Sequence, residues 1–178
     1  MAGSGKPFSV VFICGGNTCR SPMAQGILRK LLSKELKPRF RVFSAGVGAS
    51  AGGKATSMAV EAAEEDGVNL SRHRTRRADD GVLKGADLVL TLSPVYKEAL
   101  AGQCAPRFGL FALKELGVKG GASEDRTIAD PAGGSKEAYR RCYREIKGEI
   151  ERILPKLYEL LEEKEHGPVA ESREGEEG

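Results

Sequence analysis

The chain has 178 residues, 40% hydrophobic and 30% charged, with four cysteines, two histidines and a formal net charge of +3. That length suits one well-buried core, no apolar run is long enough to span a bilayer, and four thiols fall short of a secreted disulfide scaffold. Eight acidic and two basic residues from Glu159 to Gly178 leave the remainder near +9, which suits anionic ligands, while interleaved signs without a basic-aromatic stripe argue against nucleic acid. Phe8 to Ile13 reads as a buried strand. Ser21 can cap and Pro22 can open the next helix, whose Met23, Ile27, Leu28, Leu31 and Leu32 share one face. Arg39 to Ser44 alternates as a second strand, followed by a helix from about Ala55 to Asp66 with Met58, Ala59, Ala62 and Ala63 inward and Gly67 after it. Asp87 to Leu92 is a third strand, Pro94 opens a short helix, and Arg107 to Ala112 is a fourth strand. A final helix runs from about Lys136 to Glu163, with Tyr139, Cys142, Tyr143, Ile146, Ile150, Ile153, Leu154 and Leu157 on its inner face and a bend expected at Pro155. The alternation predicts a single-domain, three-layer α/β fold: a four-stranded parallel sheet flanked by helices, with ligands bound beyond the carboxyl ends of the strands. The expected organisation is an N-terminal extension at 1–7, the domain at 8–164 and an acidic, disordered tail at 165–178. The short polar start carries no signal-peptide pattern, so a soluble, cytoplasmic protein without membrane contact is expected.

Between the first strand and first helix lies Cys14-Gly15-Gly16-Asn17-Thr18-Cys19-Arg20-Ser21. A glycine-rich loop at a helix start turns successive N–H groups inward, and the helix dipole adds positive potential where a phosphate would rest. Cys14 stands at the floor of that cup, where the field favours thiolate, the form that attacks. Arg20 supplies a planar fork able to grip two phosphoryl oxygens. Gly3-Ser4-Gly5-Lys6 lacks the spacing of a P-loop, and Gly15-Gly16 lacks a dinucleotide fingerprint. Cys19, five residues after Cys14, is a candidate redox partner that would trap oxidised Cys14 as a disulfide; an inert second thiol is the bland alternative. Cys104 and Cys142 read as packing thiols. Neither His73 nor His166 stands at metal-ligand spacing from the cysteines, and neither a metal nor an organic cofactor is expected. Asp130-Pro131 reads, from these residues alone, as an ordinary turn or an acid site.

From Val11 to about Leu157 the chain resembles the low-molecular-weight protein tyrosine phosphatase family. The resemblance rests on the Cys14 to Ser21 loop, Ser44-Ala45-Gly46, His73, Ala86-Asp87-Leu88-Val89-Leu90 and Asp130-Pro131. It implies a two-step hydrolysis of phosphorylated protein side chains through a phosphocysteine intermediate. In that scheme Cys14 attacks phosphorus, Arg20 and the amides of Gly15, Gly16, Asn17, Thr18 and Cys19 hold the phosphoryl group, and Asp130 protonates the leaving atom and then activates water. Asn17, Ser21 and Ser44 resemble the hydrogen-bond network that supports the loop.

Within the family the chain resembles the bacterial protein-arginine phosphatase branch. Thr18 before the second cysteine, Asp130-Pro131-Ala132-Gly133-Gly134-Ser135 with Tyr139, and Gly53-Lys54-Ala55-Thr56 carry that likeness. Gly15 departs from it where the branch has threonine, and Ala132 stands where both branches commonly have an aromatic. Thr18 and Ala132 are therefore the candidate specificity residues: a small hydroxyl suits a guanidinium, and loss of a ring removes the wall that would favour phenyl. Phosphoarginine is the favoured substrate and phosphotyrosine the alternative. Two further alternatives are a thioredoxin-coupled arsenate reductase, which would need a downstream cysteine pair, and a phosphoprotein-binding module, which would need neither nucleophile nor acid. Expected partners are phosphorylated proteins and thioredoxin-type reductants. Arg72-His73-Arg74-Thr75-Arg76-Arg77 is either a docking surface for acidic proteins or a solvated loop.

Overall fold

The computed structural model describes residues 5–118 and 125–167. Four strands, β1 (Phe8–Cys14), β2 (Phe40–Gly46), β3 (Leu88–Thr91) and β4 (Leu110–Ala112), form one parallel sheet in the order β2-β1-β3-β4. The helices are α1 (Arg20–Leu31), α2 (Ser57–Glu64), α3 (Asp80–Leu83), α4 (Pro94–Leu100) and α5 (Lys136–His166). Because successive strand side chains point to opposite faces, β1 divides its burial between two layers. Phe8, Val10, Phe12 and Cys14 join the core beneath α1, α2 and α5, while Val11 and Ile13 pack with Leu83 and Leu100 of α3 and α4. The expected three-layer architecture is the one observed.

The strands agree in existence and order, with shifted ends. The fourth is shorter than expected because Gly109, at φ 102°, turns the chain immediately before Leu110. Helix α2 begins after Thr56, whose hydroxyl accepts from the Ala59 amide, and α5 begins after Ser135, whose hydroxyl accepts from Ala138. The cap expected at Ser21 is corrected: α1 starts at Arg20 with Cys19 before it and without a side-chain cap, because the Ser21 hydroxyl is drawn into the loop instead. Short α3 and two 3₁₀ turns, Lys37–Arg39 and Leu113–Glu115, have too few residues to show a periodic pattern. Helix α5 runs unbroken through Pro155, and its buried face follows the expected positions, except that Leu154 is only half-buried and Leu160 and Leu161 join it. Residues 1–4 of the expected extension, and the expected tail beyond Gly167, lie outside the described residues. No helix among the described residues is long and apolar enough to cross a membrane.

Just after α2, Asp66 ties three helices together: its carboxylate meets Lys30 of α1 at 3.0 Å, and Tyr143 and Lys147 of α5 at 2.8 and 3.1 Å. Lys30 first, then the Tyr143 hydroxyl, hold that carboxyl down to about 2. A depressed carboxyl stabilises the fold fully above its unfolded value, about 3.9, and loses that contribution as pH falls through the folded one. Asp66→Asn is therefore expected to cost about 1 kcal/mol in urea unfolding at pH 7, and to match the parent near pH 2.

Candidate active site

Four carbonyls of the loop that follows β1 are tied to different neighbours. The Cys14 carbonyl accepts from Val47 N at 3.0 Å, Gly15 from Gly48 N at 3.0 Å, Asn17 from His73 Nε2 at 2.8 Å and Thr18 from Thr56 N at 3.0 Å. In a trans peptide the N–H points opposite to the preceding carbonyl, so the amides of Gly15, Gly16, Thr18 and Cys19 face the other way, into the cup. None of those four amides donates to another described residue. The loop is thus held from the outside, with these amides left facing its interior.

Asn17 is its keystone. It is fully buried at φ 57°, a left-handed conformation that Asn tolerates better than most residues. Its Nδ2 donates to Ser21 Oγ at 2.8 Å and Ser44 Oγ at 3.0 Å, and its Oδ1 accepts from Arg76 N at 3.0 Å. Ser44 in turn donates to Gln25 Oε1 at 2.6 Å. Burial first, then the charges of Arg74, Arg76 and Arg29, push the His73 imidazole below its ordinary range, so neutral His73 carries its proton on Nε2 and donates it to the Asn17 carbonyl. Close packing requires glycine beside the loop: a Cβ on Gly46 would stand 2.5 Å from the Gly15 carbonyl and 2.8 Å from Asn17 N.

Cys14 Sγ lies 2.9 Å from Ser21 Oγ, and both side chains are buried. Asn17 donates to Ser21 Oγ, whose own proton faces two acceptors, the sulfur at 2.9 Å and the Ala45 carbonyl at 3.4 Å. Arg20 is also buried, with Nη1 donating to the Ile128 carbonyl at 3.1 Å and Nη2 to Asp130 Oδ2 at 3.0 Å and Tyr96 Oη at 2.8 Å. Burial works against its charge, but Asp130 and the Tyr96 hydroxyl outweigh it and raise the guanidinium above its ordinary value. The segment carrying Asp130 is anchored where Ile128 N donates to the Leu92 carbonyl at 2.9 Å, just past β3. Asp130 Oδ1 accepts from Ala132 N at 3.1 Å, and about half of the Asp130 side chain stays open to solvent.

Arg20 and Asp130 thus meet, although 110 residues separate them, and Cys14 lies close enough to Arg20 for its charge to be felt there. Thr18 is half-buried with Oγ1 3.7 Å from Cys19 Sγ, and Ala132 is exposed. Cys19 is buried against Thr56 Oγ1 at 3.4 Å and Tyr139 Oη at 3.5 Å. Burial and Cys19 keep the Tyr139 phenol above its ordinary range. Burial pushes the Cys142 thiol up to about 12, in keeping with a packing thiol. His166 gathers with Glu162 and Glu165 at the exposed end of α5, where Arg39 already holds both carboxylates.

Tyr96 is the site residue that sequence reasoning missed. Its ring also lies beneath the Arg20 guanidinium, 5.4 Å from centroid to Cζ. Its position explains Gly15, since a Cβ there would stand 3.0 Å from Tyr96 Oη. Gly15→Ala is expected to lower kcat/KM about tenfold by displacing the hydroxyl from Arg20, and Tyr96→Phe to remove a comparable amount. In the Tyr96→Phe background Gly15→Ala should cost much less, a coupling of about 1 kcal/mol in a double-mutant cycle; additive losses would sink the pairing.

Residues 9–166 match the family described as low molecular weight phosphotyrosine protein phosphatase. The chain is 37% identical to a protein-arginine-phosphatase of Bacillus subtilis over 85% of its own length and 95% of that protein. It is 31% identical to a probable low molecular weight protein-tyrosine-phosphatase of Ralstonia nicotianae, over 85% and 97% of the two chains. The structure of an arginine phosphatase from Geobacillus stearothermophilus superposes with a TM-score of 0.74 at 33% identity, covering 92% of this chain and 99% of that one.

Proposed function

The chain belongs to the low molecular weight phosphotyrosine protein phosphatase family, and from that premise we propose that it hydrolyses phosphoarginine in proteins with Cys14 as nucleophile, Arg20 as phosphate clamp and Asp130 as acid and base. Membership makes it a cysteine-dependent protein phosphatase; the residue roles and the substrate are our assignment. The convergence of Arg20 and Asp130 beside a cup whose amides face inward over Cys14 is the observation that carries it.

The Cys14 thiolate attacks phosphorus while the phosphorus–nitrogen bond breaks, and Asp130 delivers a proton to the departing guanidine nitrogen. Arg20 and the loop amides hold the equatorial oxygens, aimed where charge develops. Water then attacks the thiophosphate, gives its proton to Asp130 and releases phosphate with the thiolate restored. Ser21 steadies the sulfur, and Ser44 and Asn17 keep Ser21 in place. Thr18 and the bare methyl of Ala132 favour a guanidinium over a phenyl ring, and the likeness to the B. subtilis protein-arginine-phosphatase supports the same substrate. The phosphatase domain is assigned to 8–164, flanked by 1–7 and 165–178, in a cytoplasmic protein.

The reading is tested by initial phosphate release from matched phosphoarginine and phosphotyrosine peptides, with Cys14→Ser as the blank. Preference for phosphoarginine is expected. Preference for phosphotyrosine would overturn the substrate and keep the nucleophile, whereas release independent of Cys14 would overturn the mechanism. Arsenate reduction coupled to thioredoxin has no supporting cysteine pair, because Cys104 and Cys142 pack on opposite faces of the sheet.

Cys19 is assigned as the redox partner. Peroxide converts the Cys14 thiolate to sulfenic acid, the Cys19 thiol attacks that sulfur with loss of water, and a thioredoxin-type dithiol reduces the disulfide. Cys19→Ser should lose the recovery of activity by thioredoxin after peroxide that the parent shows; equal recovery in both would reject the assignment.

A further inference from the structure

The basic run from Arg72 to Arg77 does not act as one surface. Arg77 turns away beside Val47, Asp79 and Asp80. Arg72, Arg74 and Arg76 instead line a cleft of about 560 Å³ together with Arg29 and Lys30 of α1 and Lys37 of the first 3₁₀ turn. No carboxylate lines it. Lys30 is held by Asp66, but the other five cations make no ion pair among the described residues. Arg29 donates to the Val42 carbonyl, Arg74 to the carbonyls of Ser71 and His73, and Arg76 lies over the Phe43 ring. Such partners engage Arg29, Arg74 and Arg76 without neutralising them. Several arginines elsewhere are paired, as with Arg39, Arg140, Arg144 and Arg152 on glutamates. Like charges gathered from three segments around one small volume repel one another until a counter-ion enters.

The cleft is also joined to the catalytic loop. His73, on its wall, donates to the Asn17 carbonyl, and the backbone amide of Arg76 donates to Asn17 Oδ1. We propose that this cleft is a second anion site, separate from the Cys14 cup, that binds a compact condensed phosphate chain, either free polyphosphate or the phosphate tail of a nucleotide. Several converging cations in a volume of small-molecule size call for high negative charge in a short length, which consecutive phosphates supply. An acidic polypeptide spreads its charge over a longer span. Apart from His73, whose Nε2 is engaged by the loop, the walls have no aromatic ring on which a base would stack, so recognition rests on the phosphates.

The test is calorimetric titration of tripolyphosphate into full-length protein whose cup is saturated with orthovanadate, repeated with ATP, a glutamate-rich peptide and the Lys37→Gln/Arg72→Gln/Arg74→Gln variant. One-site binding of tripolyphosphate is expected, weakened at least about tenfold in the variant, which should keep its parent activity on a small aryl phosphate. The His73 ring resonance should titrate at higher pH once the anion offsets Arg29, Arg74 and Arg76. Tighter tripolyphosphate than ATP would identify the free chain as the source, and tighter ATP the nucleotide. No binding with the cup filled, binding unaffected by the triple substitution, or binding of the peptide alone would overturn the proposal. Repeating the titration with Cys14→Ser keeps this outcome apart from any failure of the catalytic reading.

Discussion

Cys14→Ser is expected to lower phosphate release from every substrate by a factor on the order of 10⁶, the scale on which removal of an enzymatic nucleophile is felt. Sulfur is the only atom at the floor of the cup that is readily converted to an anion. A serine hydroxyl there, still 7 residues before Ser21 and within its reach, would meet the same hydrogen bond but hold its proton far more tightly. The cup itself should survive, because its carbonyls are fixed by Val47, Gly48, Thr56 and His73 and not by the thiol. The variant should therefore still bind a phosphopeptide, so stopped turnover with retained binding is the expected pair of results. Loss of both would mean that Cys14 shapes the loop instead of attacking.

Asp130→Asn is expected to lower kcat for a phosphorylated peptide by about 100- to 10,000-fold, the usual contribution of a general acid. The amide keeps the shape and can still accept from Ala132 N, yet it can neither donate an acid proton nor take one from water. With 4-nitrophenyl phosphate, whose leaving group departs readily as an anion, the first step should suffer much less. Losing the Arg20 partner has a second consequence: the buried guanidinium keeps only the Ile128 carbonyl and Tyr96 as strong acceptors, so phosphate affinity should not fall and KM should not rise. Equal losses on both substrates would point to Asp130 as a positioner of Arg20.

The part of this site written in consecutive residues was legible. Cys14, the glycines, Arg20 and the flanking strand and helix announce a phosphate cup because their spacing is itself the geometry. From its own residues Asp130 could equally be a turn or an acid, and only the family resemblance favoured the acid, since nothing local says that Ile128 anchors it beyond β3. Tyr96 left no trace: one tyrosine in a seven-residue helix has no period or motif, and its role arises only when α4 brings it to Arg20 and to the space left by Gly15. Ser21 was misread as a cap because a serine beside a proline at a helix start obeys a local rule, which the tertiary demand of Cys14 and Asn17 overrides.

β1 lies between β2 and β3, bonded on both edges and buried along all seven residues. Cys14, the proposed nucleophile, thus terminates a strand closed to solvent along its length, whose amides are expected to exchange with deuterium only through a large opening of the molecule. The cup at its end hangs on attachments to β2's exit, the His73 turn and the start of α2, so no minor fraying of a terminus or surface turn releases it. Catalytic competence and global folding are consequently lost together: heat or denaturant should erase activity along the same cooperative curve that reports the whole domain, without an earlier, private transition of the loop.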